Sequence, residues 1–248
     1  MRIAVAGATG VVGRHVVAEL ARRGHDAVPL ARSQGVDVTS RDGLADHLTG
    51  ADAVIDTLGI TTTRRRPATD FFTTTTRNLL EAEGAAGVER HVLLSIVGID
   101  GSSFGYYRAK VAQEEVARTL DTSTTILRAT QFHEFAEQML ERAKAGPVVV
   151  VPQMKSATVA AAEVAAALVD LAENPQPGTV EMGGPEEHDM PELVRRVAEA
   201  RGVRAKVMAL TVPGAAGKAM RDGTLIPLDP WRIGRQTFAE WLATGTGE

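Results

Sequence analysis

The sequence predicts an α/β protein built on a doubly wound parallel sheet, with a small C-terminal α/β region. Three observations carry that expectation. Short apolar runs alternate with helical segments up to about Pro152, as a parallel sheet covered on both faces requires. The runs are continuous rather than alternating, which fits strands buried on two sides. The stretch AVAGATGVVGRH, residues 4–15, puts a glycine-rich turn directly after the first run.

Taken in order, Arg2–Ala6 reads as the first strand, and Val11–Arg23 as a helix with Val12, Val16 and Leu20 at helical spacing, ended by Gly24. Asp26–Ala31 is a second strand, Val36–Val38 a short third, Arg41–Leu48 a helix closed by Gly50, and Ala53–Leu58 a fourth strand. Arg64-Arg65-Arg66, stopped by Pro67, reads as a solvated loop. Asp70–Gly84 is helical despite Thr73-Thr74-Thr75-Thr76, whose β-branched side chains weaken a helix, so burial has to hold it. His91–Ser95 is a fifth strand, and Ser103–Thr119 a helix with Glu114-Glu115 on its outer face. Thr124–Leu127, the helix Phe132–Ala145 and Val148–Val151 complete the alternation, and right-handed crossovers wind it on both sides of the sheet.

After Pro152 the rhythm changes. Val159–Leu171 is an alanine-rich helix, Thr179–Met182 a short strand, Pro191–Ala200 a helix with Asp189 as N-cap, Lys206–Leu210 another strand and Phe238–Leu242 part of a final helix. The expected organisation is therefore residues 1–152 as a nucleotide-binding domain and 153–248 as a small substrate-capping region packed on it. Thr244–Glu248 is expected to fray.

Composition narrows the function. The net charge of -4 offers no broad basic field for nucleic acid. With no cysteine, disulfides, thiolate metal sites and cysteine nucleophiles are all excluded, in keeping with a cytoplasmic protein. No apolar stretch approaches the ~20 residues that span a bilayer. Met1–Gly7 leads straight into a strand, so no leader is expected. The expected partner is a small molecule, without nucleic acid, membrane or metal, and the chain is expected to be a monomer or homodimer.

Gly7, Gly10 and Gly13 sit where a strand turns into a helix. There glycines close the turn, admit a pyrophosphate to the backbone and let the helix pack on the sheet, while the helix N-terminus favours an anion. An NAD-specific site needs a carboxylate about 20 residues further on. That position reads Ala31-Arg32-Ser33, and Arg32, helped by Arg14, suits a 2′-phosphate, so NADP(H) is the expected cofactor. Thr9, Val11 and Val12 in the turn, Ser33, Asp37 and Val38 beyond the second strand, Thr57-Leu58-Gly59 at the end of the fourth, and Ala129 complete the expected cofactor contacts.

Tyr106 and Lys110 are four residues apart and share a helix face. An ammonium beside a phenol favours the phenolate, so Tyr106 can give a proton to a developing alkoxide or take one in reverse. Lys110 can also reach the nicotinamide ribose. Ser95, at the end of the fifth strand, can hydrogen-bond a reacting carbonyl. Tyr107 is off register and expected to pack. Gln131, Phe132, His133 and Phe135 follow the sixth strand and are expected to cover the nicotinamide as a substrate pocket.

The motifs GATGVVGR at 7–14, LSIVG at 94–98, Tyr106-x-x-x-Lys110 and TILRA at 125–129 together resemble atypical short-chain dehydrogenases/reductases, and within them the NmrA-like NAD(P)H-binding group. GGPE at 183–186 and FAEWLA at 238–243 fit as well, so the resemblance spans nearly the whole chain. It implies a Rossmann fold, NADP(H) at the three glycines, and Ser95, Tyr106 and Lys110 as the catalytic trio. Relatives that keep a fourth catalytic residue place Asn or Asp near the position held here by Phe72. The expected activity is NADPH-dependent reduction of a ketone, quinone or enone. A cofactor-sensing protein and an epimerase or dehydratase with retained cofactor are the alternatives.

Overall fold

The structure, a computed structural model, describes residues 1–62, 64–119, 123–142, 144, 145 and 147–245. β1 (Arg2–Ala6), α1 (Gly13–Arg22), β2 (Asp26–Leu30), α2 (Leu44–Leu48) and β3 (Ala53–Asp56) open the chain. They are followed by α3 (Arg65–Ala86), β4 (Arg90–Ile96), α4 (Gly105–Ala117), β5 (Ser123–Ala129) and α5 (His133–Arg142). Next come β6 (Lys144–Ala145), β7 (Val148–Pro152), β8 (Lys155–Ser156), α6 (Ala161–Glu173), β9 (Gly178–Gly183) and β10 (His188–Asp189). The chain closes with α7 (Met190–Ala200), β11 (Lys206–Leu210), α8 (Gly214–Arg221), β12 (Arg232–Ile233) and α9 (Phe238–Ala243).

Among the described residues the main sheet has seven strands in the order β12-β9-β5-β4-β3-β1-β2, and each neighbouring pair is parallel. The chain moves outward from β1 to β2, then returns to the other side of β1 as β3. The strand order reverses there, and a crevice opens beyond the carboxyl ends of the strands. Strand alternation divides the core. Ile3, Val5 and Ile55 face α1 and α6, where they meet Val16, Leu20, Val164 and Leu168. Ala4, Ala6 and Val54 face the other way, toward Leu44 and Leu48 of α2 and Leu79 of α3. This is the doubly wound arrangement expected from the apolar runs.

Several local expectations change. Val36–Val38 forms no strand. Arg32–Gln34 is a single 3-10 turn ended by Gly35 in the left-handed region, and the buried Asn78 side chain donates to the carbonyls of Val38 and Thr39 in place of a strand neighbour. Val36 and Val38 still bury their side chains. The arginine run is not all loop: α3 begins at Arg65 and takes Pro67 into its first turn, where a missing N–H leaves no helical bond unmade. The threonine run is held as burial required. Thr75 and Thr76 are buried, and Thr73 and Thr75 donate to carbonyls one turn back.

The C-terminal part is interleaved with the sheet. β7, read as a seventh strand of the main sheet, pairs instead with β11 and β6 in a separate small sheet. Conversely α6 and β9, assigned by the sequence to the capping region, pack on α1 and pair with β5. The cap proper gathers α5, α7, α8 and α9 around Val149, Val151, Leu193, Val197, Phe238 and Trp241. Asp189 occupies the N-cap position of α7 without a side-chain capping bond. The expected fraying at 244–248 falls largely outside the described residues.

Candidate active site

The crevice is framed first by backbone. Gly7 has φ +78°, and a Cβ there would stand 3.0 Å from the Thr57 carbonyl oxygen, so the turn after β1 lies hard against the end of β3. Thr57 answers with its amide and hydroxyl, both donating to the Ala6 carbonyl at 2.9 and 2.8 Å. Gly13 has no room for a side chain, because a Cβ would lie 2.1 Å from the Gly7 oxygen. Gly10 is exposed, and its Cβ position meets only that same oxygen, at 3.2 Å. Thus Gly7 turns the chain, Gly13 seats the helix and Gly10 leaves an open approach. α1 starts there without a side-chain cap. This cradle and the positive helix end fit the diphosphate of a dinucleotide.

The other predicted cofactor residues are spread along the carboxyl-end side of the sheet, from the turn after β1 to the end of β5. Thr9 and Arg14 are exposed and Val11 is half-buried, while Val12 points into the core and offers only its backbone. Arg32 and Ser33 are exposed just beyond β2, and Leu58 and Gly59 follow β3. Asp37 is exposed, and the hydroxyl and amide of Thr39 hold its carboxyl below the ordinary range. Val38 and Ala129 are buried.

The end of the crevice where the sequence places the chemistry is built from side chains. Lys110 is only 4% exposed. Its Nζ donates to the Leu94 carbonyl at 2.7 Å and to Gln113 Oε1, and it lies 4.7 Å from the centre of the Phe72 ring. The Tyr106 ring meets Phe72 edge-on, with centroids 5.5 Å apart, so Phe72 touches both members of the predicted pair. Burial pulls the Lys110 ammonium down to about 8, against the attraction of Asp56 and Glu114. Tyr107 packs inside, and burial pushes its phenol up.

Ser95 is buried, and its hydroxyl donates to Glu114 Oε1 at 2.6 Å. Glu114, expected on an outer face, is fully buried. It also accepts from Arg128 at 2.7 and 2.9 Å and from Arg118 at 3.0 Å. Burial raises its carboxyl, but the Arg128 and Ser95 hydrogen bonds outweigh that and hold it low. Arg128 continues to Asp100 in the loop before α4. Ser95 of β4 and Lys110 of α4 therefore both sit where that helix meets the sheet, but each is engaged with a different set of partners.

The predicted pocket residues divide. Gln131 links the Tyr107 and Ser156 hydroxyls. Phe132 packs toward the sheet core and Phe135 toward the cap. His133 is not a polar handle on a pocket. It is buried between Thr158 Oγ1 at 2.9 Å and the Gln236 carbonyl at 3.1 Å, against Phe238 and Trp241. Burial lowers its imidazole to about 4.

Sequence reasoning missed Asp56, Thr76, Gln113 and Arg128. Gln113 and Glu114 stand three and four residues after Lys110, a spacing that places them along its side of the helix. Asp56, Thr76 and Arg128 reach the site from β3, α3 and β5, and no spacing along the chain reveals that. Among the described residues no group of three or more His, Cys, Asp or Glu could hold a metal. No helix among them is long and apolar enough to cross a membrane.

Comparison with known proteins agrees with this geometry. The chain is 27% identical over 235 residues to a ceramide reductase of Caulobacter vibrioides, covering 86% of this chain and 74% of that protein. It is 32% identical over 152 residues to a 4-hydroxy-tetrahydrodipicolinate reductase of Natronomonas pharaonis, covering 59% of this chain and only about half, 51%, of that protein. The fold superposes on the NADPH-dependent quinone oxidoreductase QOR2 of Escherichia coli with a TM-score of 0.70 at 19% identity, covering 98% of both chains. A family described as NAD(P)H-binding matches residues 29–175, more than half of the sequence. With its parallel sheet and glycine crevice, the chain belongs to that NAD(P)H-binding family.

Proposed function

We propose that the protein is an NADPH-dependent reductase of a small, partly aromatic ketone, quinone or enone. One observation carries the cofactor choice: the exposed residues after β2 are Arg32 and Ser33, with no carboxylate where a 2′-hydroxyl would need one. The crevice and the reductase relatives, one acting on quinones by its name and one on ceramide, support the reaction type.

The chemistry such a cofactor would supply, once bound in its reduced form, is hydride donation to the carbonyl carbon. The chain supplies the rest. The turn Gly7–Gly13, with Arg14, would hold the diphosphate, and Arg32 would hold the 2′-phosphate. Tyr106 gives its phenolic proton to the developing alkoxide, and Lys110 stabilises the phenolate left behind. Ser95 donates to the substrate oxygen only after its hydroxyl turns away from Glu114, because it carries a single proton. Gln131, Phe132 and Phe135 stand at the substrate side.

Fluorescence titration with NADPH and NADH, followed by a carbonyl and quinone panel read at the NADPH absorbance band, tests this reading. Tight NADPH binding with turnover, and loss of at least about a hundredfold in kcat for Tyr106→Phe, is the expected result. Equal affinity for the two cofactors, or a Tyr106→Phe variant that turns over normally, refutes it.

A further inference from the structure

Lys110 is held by a chain of side chains rather than by solvent. Its ammonium donates to Gln113 Oε1. That fixes the amide, because an ammonium has no acceptor to offer and the carbonyl oxygen must face it. The amide nitrogen then points the other way. It donates to Thr76 Oγ1 at 2.9 Å and to Asp56 Oδ2 at 3.2 Å. Asp56, Gln113 and Lys110 are all buried. Gln113 thus spans a cation and an anion, its dipole aligned with both. The other oxygen of Asp56 is also engaged: Oδ1 accepts from the Leu58 amide at 2.9 Å and so shapes the turn at 57–59.

We infer that Gln113 is a positioning residue, tying the Lys110 ammonium through Asp56 and Thr76 to the turn at 57–59 on the floor of the crevice. The inference rests on the reductase reading for the catalytic use of Lys110, but the tether stands on the geometry alone. The charged groups acting on Lys110 are Asp56 at the end of β3 and Glu114 one turn along α4. From α3 it meets the Phe72 ring, and Thr76 of the same helix reaches it only through Gln113. From β4 it meets the Leu94 carbonyl. Removing the Gln113 oxygen takes away one of its two hydrogen-bond acceptors and leaves the buried charge less favoured.

The test uses the full chain with lysine labelled by 13C, following the Lys110 Cε resonance against pH without cofactor, with Lys110→Met to assign it. In Gln113→Leu the titration is expected to fall by about one pH unit, because the charged form has lost an acceptor. In Gln113→Glu it is expected to rise by about as much, because the same position now carries an anion. A titration unmoved in Gln113→Leu overturns the inference. Should that variant fail to fold, Thr76→Val removes only the hydroxyl that anchors the amide. A fall of about half a unit is then expected, and no change overturns the inference. NADPH turnover by the same variants separates the two claims. A turnover pH profile that moves with the titration supports both. A titration that moves in a protein without carbonyl turnover upholds the tether and refutes the reductase reading.

Discussion

The two ends of the crevice are made of different material. At the cofactor end the working parts are backbone: a left-handed Gly7, a Gly13 with no space for a side chain and the bare start of α1. At the reaction end they are side chains from five elements, all but Arg128 buried: Lys110 with Gln113, Asp56 and Thr76, and Ser95 with Glu114 and Arg128. A backbone site tolerates little change in shape but carries no charge of its own. A side-chain site holds charges out of water, and each survives only while its partner remains.

The sharpest way to break the reaction end is to remove one charge. Arg128→Leu leaves the Glu114 carboxylate buried with Arg118 as its remaining salt-bridge partner, and is expected to cost about 4 kcal/mol in urea unfolding. At the cofactor end Gly13→Ala forces the backbone apart. A loss of about 3 kcal/mol, with no measurable NADPH binding, is expected by unfolding and fluorescence titration. A stable Gly13→Ala protein that binds NADPH would erase the distinction.

The cap offers a pH test. Folding lowers the His133 imidazole to about 4 from an ordinary 6.5, so the folded state takes up its proton less readily than the unfolded chain. Stability is complete above pH 6.5 and falls progressively toward pH 4, by on the order of 2 kcal/mol. Trp241, packed against His133, reports it by fluorescence. His91 has the opposite sign. Burial opposes its charge, but Glu83, 2.8 Å away, wins and raises it. Its contribution is present below pH 6.5 and is lost as pH rises through the raised value. Acid should therefore loosen the cap while the His91–Glu83 contact, between β4 and α3, remains.

Two smaller effects sharpen the cofactor end. Arg32→Ala is expected to weaken NADPH about tenfold and leave NADH unchanged. Gly10→Ala, with only one atom near its Cβ, is expected to hold stability within about 0.5 kcal/mol while cofactor affinity falls.

The same contrast explains what the sequence disclosed. The glycine turn was legible because backbone chemistry leaves its mark in consecutive residues. The apolar runs disclosed β1 to β5 for a similar reason, since each strand is one local segment. The partners of Lys110 and Ser95 were hidden because Asp56, Thr76 and Arg128 come from other elements. Glu114 was misplaced because a carboxylate on a helix reads as solvated, and two of the partners that make its burial tolerable, Ser95 and Arg128, come from β4 and β5. His133 was misplaced for the converse reason: the groups that enclose it, Thr158, Phe238 and Trp241, lie far along the chain.

The interleaving of cap and sheet has a consequence for how this protein can be altered. The chain leaves the sheet after β5 and returns in β9, its neighbour; it leaves after β9 and returns in β12, again its neighbour. Each excursion is stitched at its base, the first by Val159 to Gln131 and Thr130 to Met182, the second by Gly234 to Gly183. With both ends of an excursion fixed side by side, its length adds little closure entropy, because that cost grows only with the logarithm of the loop. The parts of these excursions outside α6, which packs on α1 and the sheet, can then vary in length while the glycine cradle stays as it is. Cutting the chain at residue 152, by contrast, would strip the sheet of β9 and β12 and of α6, which covers one of its faces.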